Sequence, residues 1–207
     1  MTRVDQAAML VRQKQFIGGA FMVASINRLE FDELAPGLQK ALRARVERLG
    51  YLGEFFKCAG NQPDILLPFM EMTEALKKSL PDRLTETGAL TIAKLMGNDY
   101  ELHQHERLSR KLGFGERWIT AIEELAPEGH ADLSPPEQIV QRFIIALLAQ
   151  RGKGVAPLLA DMVAMIGQEQ AIAILFLAGR YITHALIVNA LELAPPVPSI
   201  FKEESQS

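Results

Sequence analysis

The chain has little cysteine, little net charge and no long apolar run, and each scarcity removes a class of protein. A single cysteine, Cys58, has nothing to pair with, so an internal disulfide framework is excluded. No basic, then apolar, then small-residue leader opens the sequence, and with the lone thiol this makes a reducing cytoplasm the expected compartment. Lys and Arg number 22 against 25 Asp and Glu, a net charge of -3 that gives no overall field for a phosphate backbone. No nucleic-acid partner is expected. The longest apolar run, AIAILFLAG at 171–179, is far short of the ~20 residues of a membrane span, and Arg180 and His184 interrupt the stretch after it, so no membrane partner is expected either. Alternation with period two never persists long enough to argue for a sheet.

What is present is helical periodicity over most of 207 residues that are 48% hydrophobic, enough to bury a sizeable core. Amphipathic stretches cover 36–50 and 63–79, with a short helical turn in EFFKCAG between them. In SLPDRLTETGALTIAKLMG, Ser79 and Asp82 read as a capping box, Pro81 as a first-turn residue and Gly97 as the stop. The next helix starts with Asn98 as N-cap and runs to Gly113, and another spans about 116–125. SPPE, 134–137, is a second capping box; its helix continues to Gly152, followed by VAPLLADMVAMIG and the long QEQAIAILFLAGRYITHALIVNALEL. The fold class is therefore all-α. Two helical blocks, 31–126 and 134–194, are joined by a Pro- and Gly-containing loop. The very apolar last helix needs cover from both blocks packed as one unit, or from a subunit interface. Residues 31–207 read as a single domain, and 1–30 as an N-terminal arm able to wrap a neighbouring subunit.

Chemistry concentrates in GNDYELHQHE, 97–106, which holds two of the four histidines. On a helix starting near Asn98, Glu101 and His105 are four apart and share a face, while His103 points away toward solvent or an interface. A carboxylate one turn from an imidazole orients it and raises its pKa, the arrangement a general acid needs near neutral pH. The competing reading gives Glu101 only a structural task, since Asn98 and Glu101 also fit the N-cap and N3 positions of a capping box. No HExxH or paired-cysteine spacing points to a metal. Cys58 reads as a small buried hydrophobe.

The run LPDRLTETGALTIAKLMGNDYELHQHERLSRKLGFGERWITAIEEL resembles the core of the carboxymuconolactone decarboxylase and alkylhydroperoxidase D-like superfamily, which pairs a glutamate-bearing helix with a following histidine-bearing one. In the hydroperoxidase branch a Glu is followed twelve positions on by a Cys, three further by a second Cys, and four further by a His. Laid on this chain, Glu86 takes the glutamate place, Asn98 and Glu101 the two cysteine places and His105 the histidine place. The spacing survives and both thiols are gone. The Tyr100–Glu101 pair is similar to the cysteine-less branch, where Tyr-Glu-Trp is common; Leu102 stands in the place of that Trp. The likeness extends from about Leu49 to Leu193, with Gly-Arg-Tyr at 179–181 and Asn-Ala-Leu at 189–191 fitting longer members.

The resemblance implies an alkylhydroperoxidase D-like helical bundle that assembles as a homo-oligomer, a trimer or hexamer. It disfavours the thiol route to peroxide reduction, which needs an attacking thiolate and a resolving thiol. What it leaves is a site without cofactor or metal in which Glu86, Glu101 and His105 are catalytic. Such a site suits decarboxylation or proton transfer on a small lactone or keto acid. Tyr100 and Arg180 are the expected substrate-binding residues, Arg180 because a cation inside an apolar helix must find a partner or a pocket edge. Arg83, Arg107 and Arg110 are further candidates to hold a carboxylate, and Tyr181 and His184 read as packing residues. Two alternatives stand beside this: peroxiredoxin-like activity inherited from the fold, and a non-catalytic helical oligomer or binding protein.

Overall fold

The computed structural model describes residues 26–202, and every regular element among them is helical. A single 3-10 turn, Phe31–Glu33, precedes helices α1 (Pro36–Leu49), α2 (Glu54–Ala59), α3 (Pro63–Ser79), α4 (Asp82–Leu95) and α5 (Asp99–Lys111). Beyond these come α6 (Glu116–Glu123), α7 (Pro135–Ala149), α8 (Ala156–Ile166) and α9 (Gln168–Ala190). The arm expected over 1–30 lies largely outside the described residues. Its last five residues lie along α2 and the turn after it, where the Leu29 amide donates to Lys57 O and Asn61 Nδ2 to Asn27 O.

Helix α4 is buried without interruption from Leu84 to Ala93 and is packed by α3, α5, α6, α7 and α9. Small and hydroxylated residues allow that crowding. Thr85 and Thr87 return their hydroxyls to the carbonyls of Pro81 and Arg83, so their burial leaves no donor unsatisfied. At Gly88 an added methyl would come within 2.5 Å of Leu177 Cδ2 on α9, which shows how closely the two helices approach. Helix α4 of the first block is thus enclosed by α7 and α9 of the second, and the two blocks pack as one unit. The core between them is built from Leu84, Ile92, Phe143, Ile144, Met162, Ile174 and Leu177. A second cluster joins α1 and α2 to Tyr100 and Val188, and a third holds Trp118, Ile119 and Ile122 beneath α4.

Two helix starts compare with the sequence reading in opposite ways. Ser134 and Glu137 form the expected capping box at α7. Ser79 does not cap α4: it is the last residue of α3, its hydroxyl donates to Ala75 O, and Pro81 stands at the cap of α4 without a side-chain bond. The 79–82 spacing matches the motif, but Ser79 closes the preceding helix and its hydroxyl is already given to Ala75 O. Helix α9 also has the length and apolar composition to cross a membrane, which the uninterrupted-run criterion misses; half of that window is buried against the other helices, the disposition of a core helix.

Beyond α9 the chain turns back across α5. His103 Nδ1 meets Val197 O at 3.1 Å, while Glu106 Oε2 accepts from Ser199 Oγ at 2.8 Å and from the Ile200 amide at 2.9 Å. His103 is therefore buried, not solvated: the face of α5 away from Glu101 is covered by the chain's own C-terminal segment.

The contact at Gly88 yields a stability test. Replacing Gly88 by Ala is expected to destabilise the fold by about 1–3 kcal/mol through overpacking, more than the ~1 kcal/mol gained from helix propensity. In a Leu177→Ala background the same change should cost less, and denaturant unfolding of the four-member cycle reads the coupling. Strict additivity would show that the approach of α4 to α9 is not the limiting contact.

Candidate active site

Gly97, at φ 59°, turns the chain from α4 into α5, and Asn98 starts α5 by accepting the Glu101 amide on Oδ1 at 3.2 Å. The turn lays the two helices together and sets Glu86 of α4 opposite His105 of α5. Glu86 Oε2 lies 2.7 Å from His105 Nδ1 and also accepts from Ser109 Oγ at 3.3 Å. On the other edge of the ring, His105 Nε2 lies 3.2 Å from Glu101 Oε2 and 3.2 Å from the Tyr181 hydroxyl. The imidazole is held between two carboxylates.

Helix α9 supplies the rest of the site from one face. Arg180 Nη1 stands 3.6 Å from Glu101 Oε2 and His184 Nε2 stands 3.3 Å from Glu101 Oε1. Arg180 also donates from Nε to Thr73 Oγ1 at 3.0 Å, and its guanidinium stacks on the rings of Tyr181 and Phe69. The side chains of Glu86, Glu101, His105, Arg180 and His184 are each 11% exposed or less, so their charges interact with little screening by water.

Burial by itself would lower the pKa of His105, yet Glu86, Tyr181 and Glu101 outweigh it and raise the group well above its ordinary 6.5. His105 is an imidazolium at neutral pH, with a proton on each nitrogen to give to a carboxylate. Burial likewise favours protonated Glu101, but His184, His105 and Arg180 hold that carboxyl below the usual range. His184 goes the other way: burial lowers it to about 4 despite Glu101 beside it. It is neutral, sets Nε2 3.3 Å from Glu101 Oε1, and keeps Nδ1 buried without a hydrogen-bond partner. Burial raises Tyr181 and pushes Tyr100 up to about 12, so both hydroxyls stay protonated. Protonated His105 and Arg180 thus face the carboxylates of Glu86 and Glu101.

The site opens on a cavity of about 460 Å³ between α1, α2, α3, α5 and α9, the size of a small organic ligand. Phe55, Tyr100, Glu101, His105, Tyr181 and His184 lie in its wall. Tyr100 accepts the Phe55 amide at 3.3 Å on its hydroxyl, which ties α2 to α5. Among the described residues no cluster of three or more His, Cys, Asp or Glu has the arrangement to hold a metal ion.

Of the sequence-predicted residues, Glu86, Glu101 and His105 come together, and the Glu101 side chain turns into the site and not back to the Asn98 amide, which bonds to Ala93 O. Tyr100 and Arg180 both reach the cavity, but Arg180 is already engaged by Glu101. Arg83 lies elsewhere, paired with Glu137, and Arg110 is not in the cavity wall. Tyr181 and His184, packing residues by sequence, instead contact His105 and Glu101. Their spacing from Arg180, one and four, holds the signal.

No family model matches the chain, and no curated protein matches it. Solved structures do. The chain is 14% identical to an uncharacterized peroxidase-related protein of Ralstonia eutropha JMP134 with an alkylhydroperoxidase AhpD core, at a TM-score of 0.71 over 84% of this chain and 94% of that one. A peroxidase-related protein of Silicibacter sp. TM1040 is 16% identical, with a TM-score of 0.68 over 86% and 96%. The debrominase Bmp8 is 16% identical, with a TM-score of 0.72 over 86% and 95%, and has also been solved in complex with 2,3,4-tribromopyrrole. These likenesses show that the chain has the AhpD-like helical fold.

The neutral His184 gives the molecule an acid limit. Its folded pKa of about 4 lies below the unfolded 6.5, so the unfolded chain takes up a proton first and stability falls as pH drops from about 6.5 to about 4. The loss attributable to it reaches about 3 kcal/mol. His184→Phe should flatten that limb in urea unfolding followed across pH; an unchanged slope would assign the acid sensitivity elsewhere.

Proposed function

We propose that this protein is an acid–base enzyme that works without a cofactor, transferring a proton at carbon next to a carbonyl and, in its specific form, decarboxylating a small lactone or keto acid. The observation that carries the reading is the His105 imidazolium bridged between Glu86 and Glu101, with the Tyr181 hydroxyl on its Nε2 edge. A proton donor charged at neutral pH, positioned by a buried carboxylate and facing a cavity, is what an enolate-generating reaction requires.

In this reading Glu86 fixes the ring through Nδ1 and stabilises its charge, leaving Nε2–H as the mobile proton. Loss of carbon dioxide breaks the carbon–carbon bond and leaves its electron pair on an enolate. The Nε2 proton of His105 passes to the enolate carbon, giving the neutral carbonyl product and a neutral imidazole. A proton from water, relayed through the Tyr181 hydroxyl, restores the imidazolium, so the net change is one proton consumed and one carbon dioxide released. Glu101 keeps the resting imidazolium protonated and holds Arg180 at the cavity wall.

A redox reaction is the second reading, favoured by the descriptions of the structural neighbours as peroxidase-related proteins and a debrominase. Against it, the two thiol places hold Asn98 and Glu101. Cys58, on α2, is buried in the core cluster that α2 shares with α1 and does not line the cavity.

A turnover screen of small lactones, β-keto acids and organic hydroperoxides separates the two. His105→Gln is expected to lower kcat on the acid substrate by about 10²–10⁴-fold with the helical fold retained, and Cys58→Ser to leave it unchanged. Peroxide turnover that depends on Cys58 would overturn the assignment. The proton donor must be charged, so kcat holds below the raised His105 pKa and falls as pH rises through it. Glu86→Gln removes the strongest charge holding that proton and should move the alkaline limb to lower pH; an unmoved limb would mean that His105 is not the titrating group.

A further inference from the structure

Helix α9 gives one side to the core and the site, and the other side is apolar as well. Its outer arc, turned away from Tyr181 and His184, consists of Ile172, Phe176, Gly179, Thr183, Leu186 and Ala190, which recur every three or four residues over about 27 Å of helix. All six are exposed, and Ile172, Phe176 and Leu186 stand 52%, 59% and 57% open to solvent. Leu175 and Ile182 lie half-buried along the border of the arc. No charged side chain belongs to it, although 23% of the chain is charged. Its one polar side chain, Thr183, gives its hydroxyl proton to Gly179 O at 2.9 Å. A monomer rarely leaves so continuous an apolar strip to water.

The arc has the pattern of a surface that meets its own copy. Gly179 lies at its centre, and a methyl added there would meet nothing within 4 Å. Nothing around it in the chain requires glycine at a position where alanine would favour the helix, whereas the close approach of a second backbone does. The arc is also nearly symmetric about that glycine. Ile172 lies seven residues before it and Leu186 seven after, while Phe176 lies three before and Ile182 and Thr183 three and four after. Two such helices crossing antiparallel at Gly179 turn Ile172 of each copy toward Leu186 of the other, and Phe176 toward Ile182 and Thr183. Near a two-fold axis a charge meets its own like, and the arc has none to repel. A lipid surface would instead call for basic residues along the border. Between Lys153 and Lys202 the sequence holds one Lys or Arg, Arg180, and Glu101 engages it.

We infer that the outer face of α9 is a two-fold interface between copies of this chain, with the two helices antiparallel and closest at Gly179. The arc alone covers on the order of 300 Å² per copy, less than half of the ~800 Å² of a standard interface. Leu175 and Ile182 at its border, and the exposed Val163 and Met165 of α8, which packs on α9, add apolar surface. A contact of this size holds the copies with a dissociation constant on the order of micromolar. A two-fold contact builds a dimer or a larger closed assembly with an even number of copies, and a three-fold trimer does not contain one. The choice between trimer and hexamer that the family resemblance leaves open is thereby narrowed. The interface turns away from the groups that α9 gives to the site and is independent of the reaction proposed there.

Sedimentation velocity of the full chain from about 1 to about 200 μM tests this. The expected result is a concentration-dependent assembly with an even number of copies. Phe176→Glu is expected to raise the dissociation constant at least tenfold while the helical circular dichroism is unchanged. Gly179→Ala gives a pair of effects that a residue serving only its own helix would not give: at low concentration the melting temperature holds or rises, and association weakens at least threefold. A chain that stays monomeric at the highest concentration, an assembly of trimers only, or an assembly that either substitution leaves intact would overturn the inference. So would binding of the monomer to phosphatidylcholine or phosphatidylglycerol vesicles that Phe176→Glu abolishes, which assigns the arc to a lipid surface. No arm of the test reads turnover, so a failed reaction assignment leaves these results standing.

Discussion

Two carboxylates buried within reach of one imidazole are the constraint on which the rest of the structure depends. Glu86 and Glu101 stand on adjacent helices with their side chains almost fully enclosed, and taking such groups out of water costs several kcal/mol each unless cations meet them. His105 meets both, Arg180 meets the second, and the hydroxyls and rings around them complete the set. This accounts for a guanidinium within an otherwise apolar α9 and for the neutrality of His184: with two cations already facing two anions, a third positive charge would be uncompensated. Removing either carboxylate would leave a buried cation exposed to the same penalty. The central helix α4 thus has two tasks, to fill the core and to present Glu86.

Helix α5 separates its tasks by face. Glu101, His105 and Ser109 recur at four-residue spacing toward α4 and α9, while His103, Glu106 and Arg107 turn toward the returning C-terminal segment. The Glu106 carboxylate accepts a hydroxyl and a backbone amide from that segment, so it is satisfied without a cation. Val197 belongs both to the segment held by His103 and to the cavity wall. The clamp on one face of α5 thereby fixes part of the boundary of the site on the other.

Local physics makes much of this legible in the sequence. The four-residue offset of Glu101 and His105 is a property of helix geometry, and the N-cap role of Asn98 follows from its side chain. Glu86 is reachable only by likeness to a family pattern, because its approach to His105 depends on how the turn at Gly97 folds α4 against α5. Tyr181 and His184 read as packing because α9 is apolar on nearly every side and periodicity does not say which face meets the site; only their spacing from Arg180 ties them to it. Ser79 misleads because its motif matches in spacing while the preceding helix continues through it. His103 reads as solvated or at an interface because nothing nearby in sequence announces that residues 197–200 fold back over it.

In the proposed reading, a fold shared with peroxidase-related proteins carries proton chemistry because the site is decided by very few positions. In the hydroperoxidase pattern that the chain resembles, the places twelve and fifteen positions after the glutamate are thiols, and here they hold Asn98 and Glu101, each with a distinct geometric use. Asn98 caps α5, fixing the helix phase that points Glu101 and His105 into the cavity. Glu101 places a carboxylate on the Nε2 edge of His105, where it stabilises the imidazolium and anchors Arg180. A thiolate there would share the negative charge but would transfer electrons; a carboxylate holds a proton in place and does no redox chemistry. The scaffold needs only a buried acid, a turn and a histidine to position a charged donor at the edge of a cavity. In the proposed reading, the side chains at these two positions favour proton transfer over sulfur redox chemistry on the same helical scaffold.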